Sequence, residues 1–367
     1  MNRIGAFEWT RLRMWGSLLC VAIGLAACGG SAATSSTTNS GPPAQLVVYS
    51  NLLSGAMKAT IGSIMLSRYN TEVVYQDLLT ADEYTKLVAE KAHPTASVWI
   101  LDAAHAIAAK NLGLLEKLDP KVVTNLKDLV PSAKPAAVGE YGGGIALITA
   151  GIAYRTDVFA QNGWAPPTEF KDLLDPKYKG HVGLTRSMST DTLISMAKTN
   201  GGDEKNIDPA FTFAKQVVSA AKVSVFPASS LAFNDAMGRN EVWIGTQLDS
   251  AERAYKQQGG AVAMAYVSNM VFSITMAGVI KNSPNQPQAQ QFVNLLFGLD
   301  YQTYQSTNGT QLPISTRSDV KLPDALVPLF PTKEQVRSAY APDWSVVADQ
   351  QGIWLQRWIR DLEGKAS

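Results

Sequence analysis

Polar side chains in this 367-residue chain gather where short apolar β-type runs stop. Ser50 and Asn51 follow the run 46–49, Gln76 and Asp77 follow 71–75, and Asp102 follows 96–101. Farther on, Arg186, Ser187, Ser189 and Thr190 follow 181–185, Ser229 and Ser230 follow 222–226, and Gln247 follows 242–246. Tyr141 and Asn269 stand just ahead of two longer apolar runs, 145–154 and 270–280. Hydroxyls, amides, carboxylates and a guanidinium suit the reversible capture of a small polar molecule. In open α/β sheets the strand C-termini hold ligands, because the helices that follow present unpaired N–H groups and partial positive charge. A serine in such a place serves equally well as a helix cap, and Asp249, with Glu252 three residues on, reads as a cap. Arg186 beside several donors exceeds what a cap requires, and is an anion ligand, a surface arginine or half of an ion pair between lobes.

Bond-making chemistry finds little to work with. There is no Gly-x-Ser-x-Gly elbow, no His-Glu-x-x-His pair and no phosphate loop ending in Gly-Lys-Ser/Thr. Gly142-Gly143-Gly144 precedes a strand, whereas a dinucleotide fingerprint would open a helix. His93, His105 and His181 lie apart and read as structural. The sequence therefore points to no metal, no cofactor and no catalytic group.

The elements around these positions alternate. Strand 46–50 leads to a helix with Met57, Ile61, Ile64 and Met65 on one face. Strand 71–75 leads to a helix opened by a Thr80/Glu83 capping box, and strand 96–101 to a helix over 103–111 stopped at Gly113. A second βα series runs from His181, with a strand over 222–226 and an Asp208-Pro209 helix start. A terminal helix from about Val346 carries Ile353, Trp354, Trp358, Ile359 and Leu362. Strand-helix alternation at this interval predicts doubly wound sheets. The runs 145–154 and 270–280 are too short to cross a membrane and read as two crossings between lobes. The expected division is 45–148 for the first part of lobe one, 149–268 for lobe two, and 269–367 for the return to lobe one.

At the start, Arg3, Arg11 and Arg13 precede an apolar run over 15–25 and then Leu25-Ala26-Ala27-Cys28. A charged head, a short apolar middle and small residues mark a secretory signal over 1–27. Leu-Ala-Ala-Cys resembles the lipobox of bacterial lipoproteins, which implies lipidation at Cys28, export and attachment to a membrane. Residues 28–44, free of charge and of large apolar side chains, read as a flexible tether. Without the signal, acidic side chains outnumber basic ones by one, so nothing suggests nucleic-acid binding. Cys20 leaves with the signal and Cys28 takes lipid, so the mature fold has no disulfide.

Several stretches together resemble the extracellular solute-binding proteins of bacterial ABC importers. Residues 46–51 resemble their opening strand, and Lys171-Asp172-Leu173-Leu174-Asp175-Pro176-Lys177-Tyr178-Lys179-Gly180 is similar to a segment of their polyamine- and ferric-ion-binding branch. Residues 226–230, 242–245 and 354–358 fit the same branch. The resemblance implies an α/β, two-lobed type 2 periplasmic-binding-protein fold, with two doubly wound lobes joined by two hinge crossovers. It further implies a monomer that hands a small-molecule solute to an ABC permease in the cytoplasmic membrane. Polyamine receptors place acids in the cleft, and the segments 185–190 and 272–280 carry none here. Ferric receptors use adjacent tyrosines, whereas Tyr301 and Tyr304 are three apart. The sequence thus favours an anionic or zwitterionic organic solute held by Arg186, with a divergent polyamine or ferric-ion receptor, or an exported hydrolase, as alternatives.

Overall fold

Strand polarity decides where this molecule can bind anything. In the computed structural model residues 41–51, 53–186, 189–223, 225–309 and 312–365 are described. The signal, Cys28 and most of the tether lie outside them, as does Ser187. The strands are β1 (Ala44–Tyr49), β2 (Thr71–Gln76), β3 (Val98–Asp102), β4 (Leu115–Glu116), β5 (Gly143–Arg155), β6 (Val182–Leu184), β7 (Ile244–Leu248), β8 (Val262–Ala265) and β9 (Phe272–Ile280). The helices are α1 (Ser54–Met57), α2 (Ser63–Tyr69), α3 (Thr80–Ala89), α4 (Ala103–Asn111), α5 (Thr156–Asn162), α6 (Ser189–Thr199), α7 (Asp208–Ala220), α8 (Ser230–Gly238), α9 (Asp249–Gln257), α10 (Gln286–Leu296), α11 (Leu299–Asn308), α12 (Lys333–Arg337) and α13 (Trp344–Asp361). A π-helical turn, Lys58–Gly62, joins α1 to α2.

The strand order is β2-β1-β3-β9-β5-β7-β6, with β4 beside β9 and β8 beside β5. β1, β2 and β3 are parallel, and β9 runs antiparallel to both β3 and β5. β5 changes partners in mid-strand. Through Thr149 it pairs with β9; from Ala150 it pairs with β7, and from Ile152 also with β8. This one strand carries the chain from the first set of strands into the second, and β9 carries it back. The apolar runs at 145–154 and 270–280 are those two strands, buried along nearly their whole length. The fold is α/β and two-lobed.

The core of lobe one stacks Met57, Ile61 and Met65 on Leu46, Val48, Ile100 and Val279, with Phe292, Leu296 and Tyr301 behind. The core of lobe two packs Phe170, Leu173, Tyr178, Leu184, Leu193, Phe211 and Ile244. The 171–180 segment has a structural use: Tyr178 is buried, stacked on Phe159 at 5.6 Å, with the Lys177 ammonium 4.8 Å from its ring. Asp175 caps the short Pro176–Tyr178 turn by accepting the Lys177 N–H.

Four local expectations need correction. The Thr80/Glu83 capping box does not form: Thr80 Oγ1 donates to Asn51 Oδ1 at 3.3 Å, and Glu83 accepts the Ile100 N–H at 2.6 Å. β1 and β3 pair only at Val48 and Val98, so beyond that point the buried Glu83 carboxylate substitutes for a strand. The strand expected at 222–226 shrinks to a single bridge between Val225 and Gly183. On α13, Val347, Trp354 and Trp358 are buried, but Ile353 is 60% exposed and Ile359 faces outward too. Asp249 opens α9 without capping it; its carboxylate accepts from Thr149 N–H at 3.1 Å and from Arg253 Nη1 at 2.8 Å.

Candidate functional site

The C-terminal ends of β1, β2 and β3 lie along one edge because these strands are parallel. β7 is antiparallel to the second half of β5, and β6 is parallel to β7. The ends of β6 and β7 therefore point back at the first edge. Register fixes the spacing. Asp102 pairs with Thr275, which pairs with Ala146, whereas Asp249 bonds to the amide of Thr149. Three residues of β5 separate the two levels, about 10 Å at the usual rise per residue. Ile148, opposite Ser273, lies between the two levels.

On the first edge the expected residues are tied to one another. Ser50 is fully buried and donates to Asp77 Oδ1, while Ser54 donates to Oδ2, both at 2.6 Å. Burial raises the Asp77 carboxyl, and these two hydroxyls outweigh it and hold it below the usual range. Asn51 takes a left-handed conformation at φ 42° and anchors Thr80. Asp102 caps α4 by accepting the His105 N–H at 2.8 Å and meets His105 Nδ1 at 2.7 Å. Burial lowers the affinity of that imidazole for a proton, but the Asp102 hydrogen bond and charge reverse the effect.

The second edge is different in kind. α6 begins at Ser189, and Thr190 in its first turn is half-buried. The next residue, Asp191, is 3% exposed and accepts from Ser273 Oγ at 2.8 and 2.7 Å. Burial, with the charges of Asp102 and Asp249 adding to it against the Ser273 bond, pushes its carboxyl up to about 7. A turn later Ser195 Oγ accepts the Val271 N–H, so α6 is fastened at two points to the start of β9. The hydroxyls of Thr185, Thr192 and Ser250, each buried at this edge, find no protein partner. Buried hydroxyls normally have partners; Thr185 follows β6, and Thr192 and Ser250 lie in the first turns of α6 and α9.

The other expected residues divide. Arg186 follows β6, and its Nε donates to Glu363 Oε1 at 2.8 Å while Nη2 donates to Oε2, so it is half of an ion pair. Ser229 caps α8 by accepting the Ala232 N–H at 3.2 Å. Ser230 opens that helix, and its carbonyl receives Gln247 Nε2. Gln247 is wholly buried and also bonds Asn234 and the Leu248 N–H, leaving it no donor for a solute. Asn269 is exposed in a left-handed turn before β9. Tyr141 lies elsewhere: its carbonyl abuts Gly278, which pairs with Trp99, three residues before Asp102, and its ring sits under Lys110 and Lys117. Tyr301 is buried within lobe one, away from either edge, and its burial raises its phenol pKa. Among the described residues no cluster of three His, Cys, Asp or Glu side chains could hold a metal ion.

Sequence reasoning missed Asp191 and Ser273. An acid in the first turn of a helix reads as a complement to the helix dipole, which conceals a carboxylate turned inward. Ser273 sits in an apolar strand and only its partner reveals a use.

Comparison with known proteins agrees with this geometry. The sequence pattern of the bacterial extracellular solute-binding protein family matches residues 67–332. A crystal structure of an ABC transporter protein from Clostridium perfringens is 18% identical, covers 87% of this chain and 99% of its own, and superposes with a TM-score of 0.71. The periplasmic binding protein AfuA of Actinobacillus pleuropneumoniae, solved with fructose-6-phosphate, is 19% identical over 88% of this chain and 98% of its own, at 0.67. The Atu4243 GABA receptor is 19% identical over 87% and 97%, at 0.71. At such identities the likeness carries the fold, and the differing ligands show that the fold does not dictate a solute.

Proposed function

Because the chain belongs to the bacterial extracellular solute-binding protein family, whose members capture solutes outside the cytoplasm for ABC importers, we propose that it carries a small zwitterionic organic solute. The solute would lie between the strand edges of the two lobes, its amine held between Asp102 and Asp191. One observation carries this reading: Asp191 is a buried carboxylate near Asp102, and among the described residues no cation pairs with it. A buried charge without a partner is costly, and an ammonium from the solute removes the cost. Ser50, Asn51, Asp77 and Thr190 border the same edges; the α6 N-terminus and the unpaired hydroxyls of Thr185 and Thr192 suit the solute's anionic end. Arg186, already held by Glu363, serves as a neighbour of that end and not as its main anchor. Ser229, Gln247 and Tyr141 are support, and Asn269 flanks the crossing.

The lobe division at 45–148, 149–268 and 269–367 is supported by the change of partners along β5 at Thr149 and Ala150. Solute touching both edges would favour the closed arrangement, and the permease would read closure. The chain acts by binding and release, as a monomer, moored by a lipid on Cys28 after removal of 1–27. Retention of the Cys28→Ser protein in the membrane fraction would remove the anchor from this account.

Calorimetric titration with γ-aminobutyrate, putrescine and citrate tests the solute class. The amine-bearing compounds should bind, and Asp191→Asn should weaken them at least thirtyfold. Citrate binding equally to both proteins, with no response to either amine, would overturn the reading; putrescine alone would move it to a polyamine receptor.

A further inference from the structure

The side-on fork of Arg186 is filled from a distant part of the chain. Nε and Nη2 both donate to the Glu363 carboxylate, whose side chain is 13% exposed while that of Arg186 is 37% exposed. Glu363 is not a loosely placed surface residue. It follows α13, where Trp358 and Leu362 are fully buried, Asp361 meets Lys215 Nζ at 3.0 Å, and Arg357 reaches Asp208 at 2.6 Å with its guanidinium 3.9 Å from the Phe211 ring. Arg186 is equally fixed: its own N–H donates to the Pro227 carbonyl at 2.9 Å, and it directly follows Thr185, whose buried hydroxyl has no partner.

From this we infer that Glu363 is a specificity-determining residue, an internal carboxylate that occupies the Arg186 fork and turns net-anionic solutes away from the lobe-two edge. The inference rests on that edge being the solute site. A bidentate guanidinium–carboxylate pair is strong and geometrically demanding, so an arriving anion finds the fork taken. It also meets a second negative charge, and juxtaposed like charges disfavour the wrong partner. A zwitterion whose anionic end takes the α6 N-terminus does not need the fork, and its amine, between Asp102 and Asp191, offsets the repulsion from Glu363.

Inorganic phosphate is the probe, titrated by calorimetry into the full-length protein, Glu363→Gln, and the double variant Arg186→Gln/Glu363→Gln. Glu363→Gln should bind phosphate at least tenfold tighter than the parent, and the double variant should lose that gain. No gain, or a gain that survives loss of Arg186, overturns the inference. Glu363→Asp, which keeps the charge but shortens the reach, guards against misfolding of the first variant: it should show a smaller gain, and no gain there is equally fatal. Phosphate does not address the amine seat, so failure here is distinguishable from failure of the amine titrations above.

Discussion

The two edges that face one another treat their polar groups in opposite ways. At the lobe-one edge the two candidate carboxylates are answered by near neighbours: Asp77 by Ser50 and Ser54, and Asp102 by His105 and its own helix. On lobe two Asp191 is sealed away with a single serine, and three hydroxyls have no protein partner. Asp77 and Asp102 are satisfied by the fold itself, whereas Asp191 has one serine. Selectivity should therefore be written in lobe two, and lobe one should act as a preformed platform.

Breaking the contrast from its foundation gives the largest effect. Arg253 is fully buried, holds Asp249 at 2.8 Å and the Leu312 carbonyl at 2.8 Å, and stacks on Phe330 at 4.4 Å. Arg253→Ala would strand Asp249, and should lower unfolding stability by about 3–5 kcal/mol in urea titration. A loss below 1 kcal/mol would mean that the lobe-two edge tolerates an unpaired charge, and the contrast would fail.

A second measurement sharpens it through pH. With its carboxyl at about 7, folded Asp191 keeps a proton that the unfolded chain has already released. Stability attributable to this residue thus falls as pH rises from the ordinary aspartate range to about 7, and is level above that. Asp191→Asn cannot titrate, so its stability relative to the parent should rise across that window by on the order of 4 kcal/mol, one pKa unit being about 1.4 kcal/mol. Glu252, also buried and pushed up to about 7, remains in both proteins and cancels in the difference. A difference that does not change between pH 4 and 8 would show Asp191 to be an ordinary solvated acid.

The smallest effect comes from a residue that looks like part of the edge and is not. Ser229→Ala removes the cap of α8 and should cost about 1 kcal/mol in thermal melting, with solute affinity unchanged.

Much of the architecture was legible because periodicity reports packing directly. The α4 helix appeared at 103–111 with both ends in place, and the two apolar runs fell on the strands that join the lobes. The errors share a cause: a local signal was outbid by a distant partner. Glu83 had the spacing for a capping box, but Ile100 needed an acceptor where β3 parts from β1. Asp249 looked like a cap until Arg253 and Thr149 claimed it. Ile353 and Ile359 satisfied helical spacing, yet α13 packs on α4 and α6 through a narrower stripe centred on Trp354 and Trp358. Arg186 was conspicuous beside its loop, but nothing in sequence joins it to a glutamate 177 residues away. The seat formed by Asp191 and Ser273 was illegible for the same reason, since the two residues are 82 apart.

The position of β9 has a consequence for biogenesis. It is wedged between β3 and β5, yet it is made long after both. The strands from β6 to β8 and their helices form from one uninterrupted stretch and can condense as soon as they emerge. The earlier strands must wait, unpaired along one side, until residue 272 and beyond arrive. Such delayed long-range closure is intrinsically slow, and a nascent chain kept from premature collapse is one that can still be threaded through an export channel.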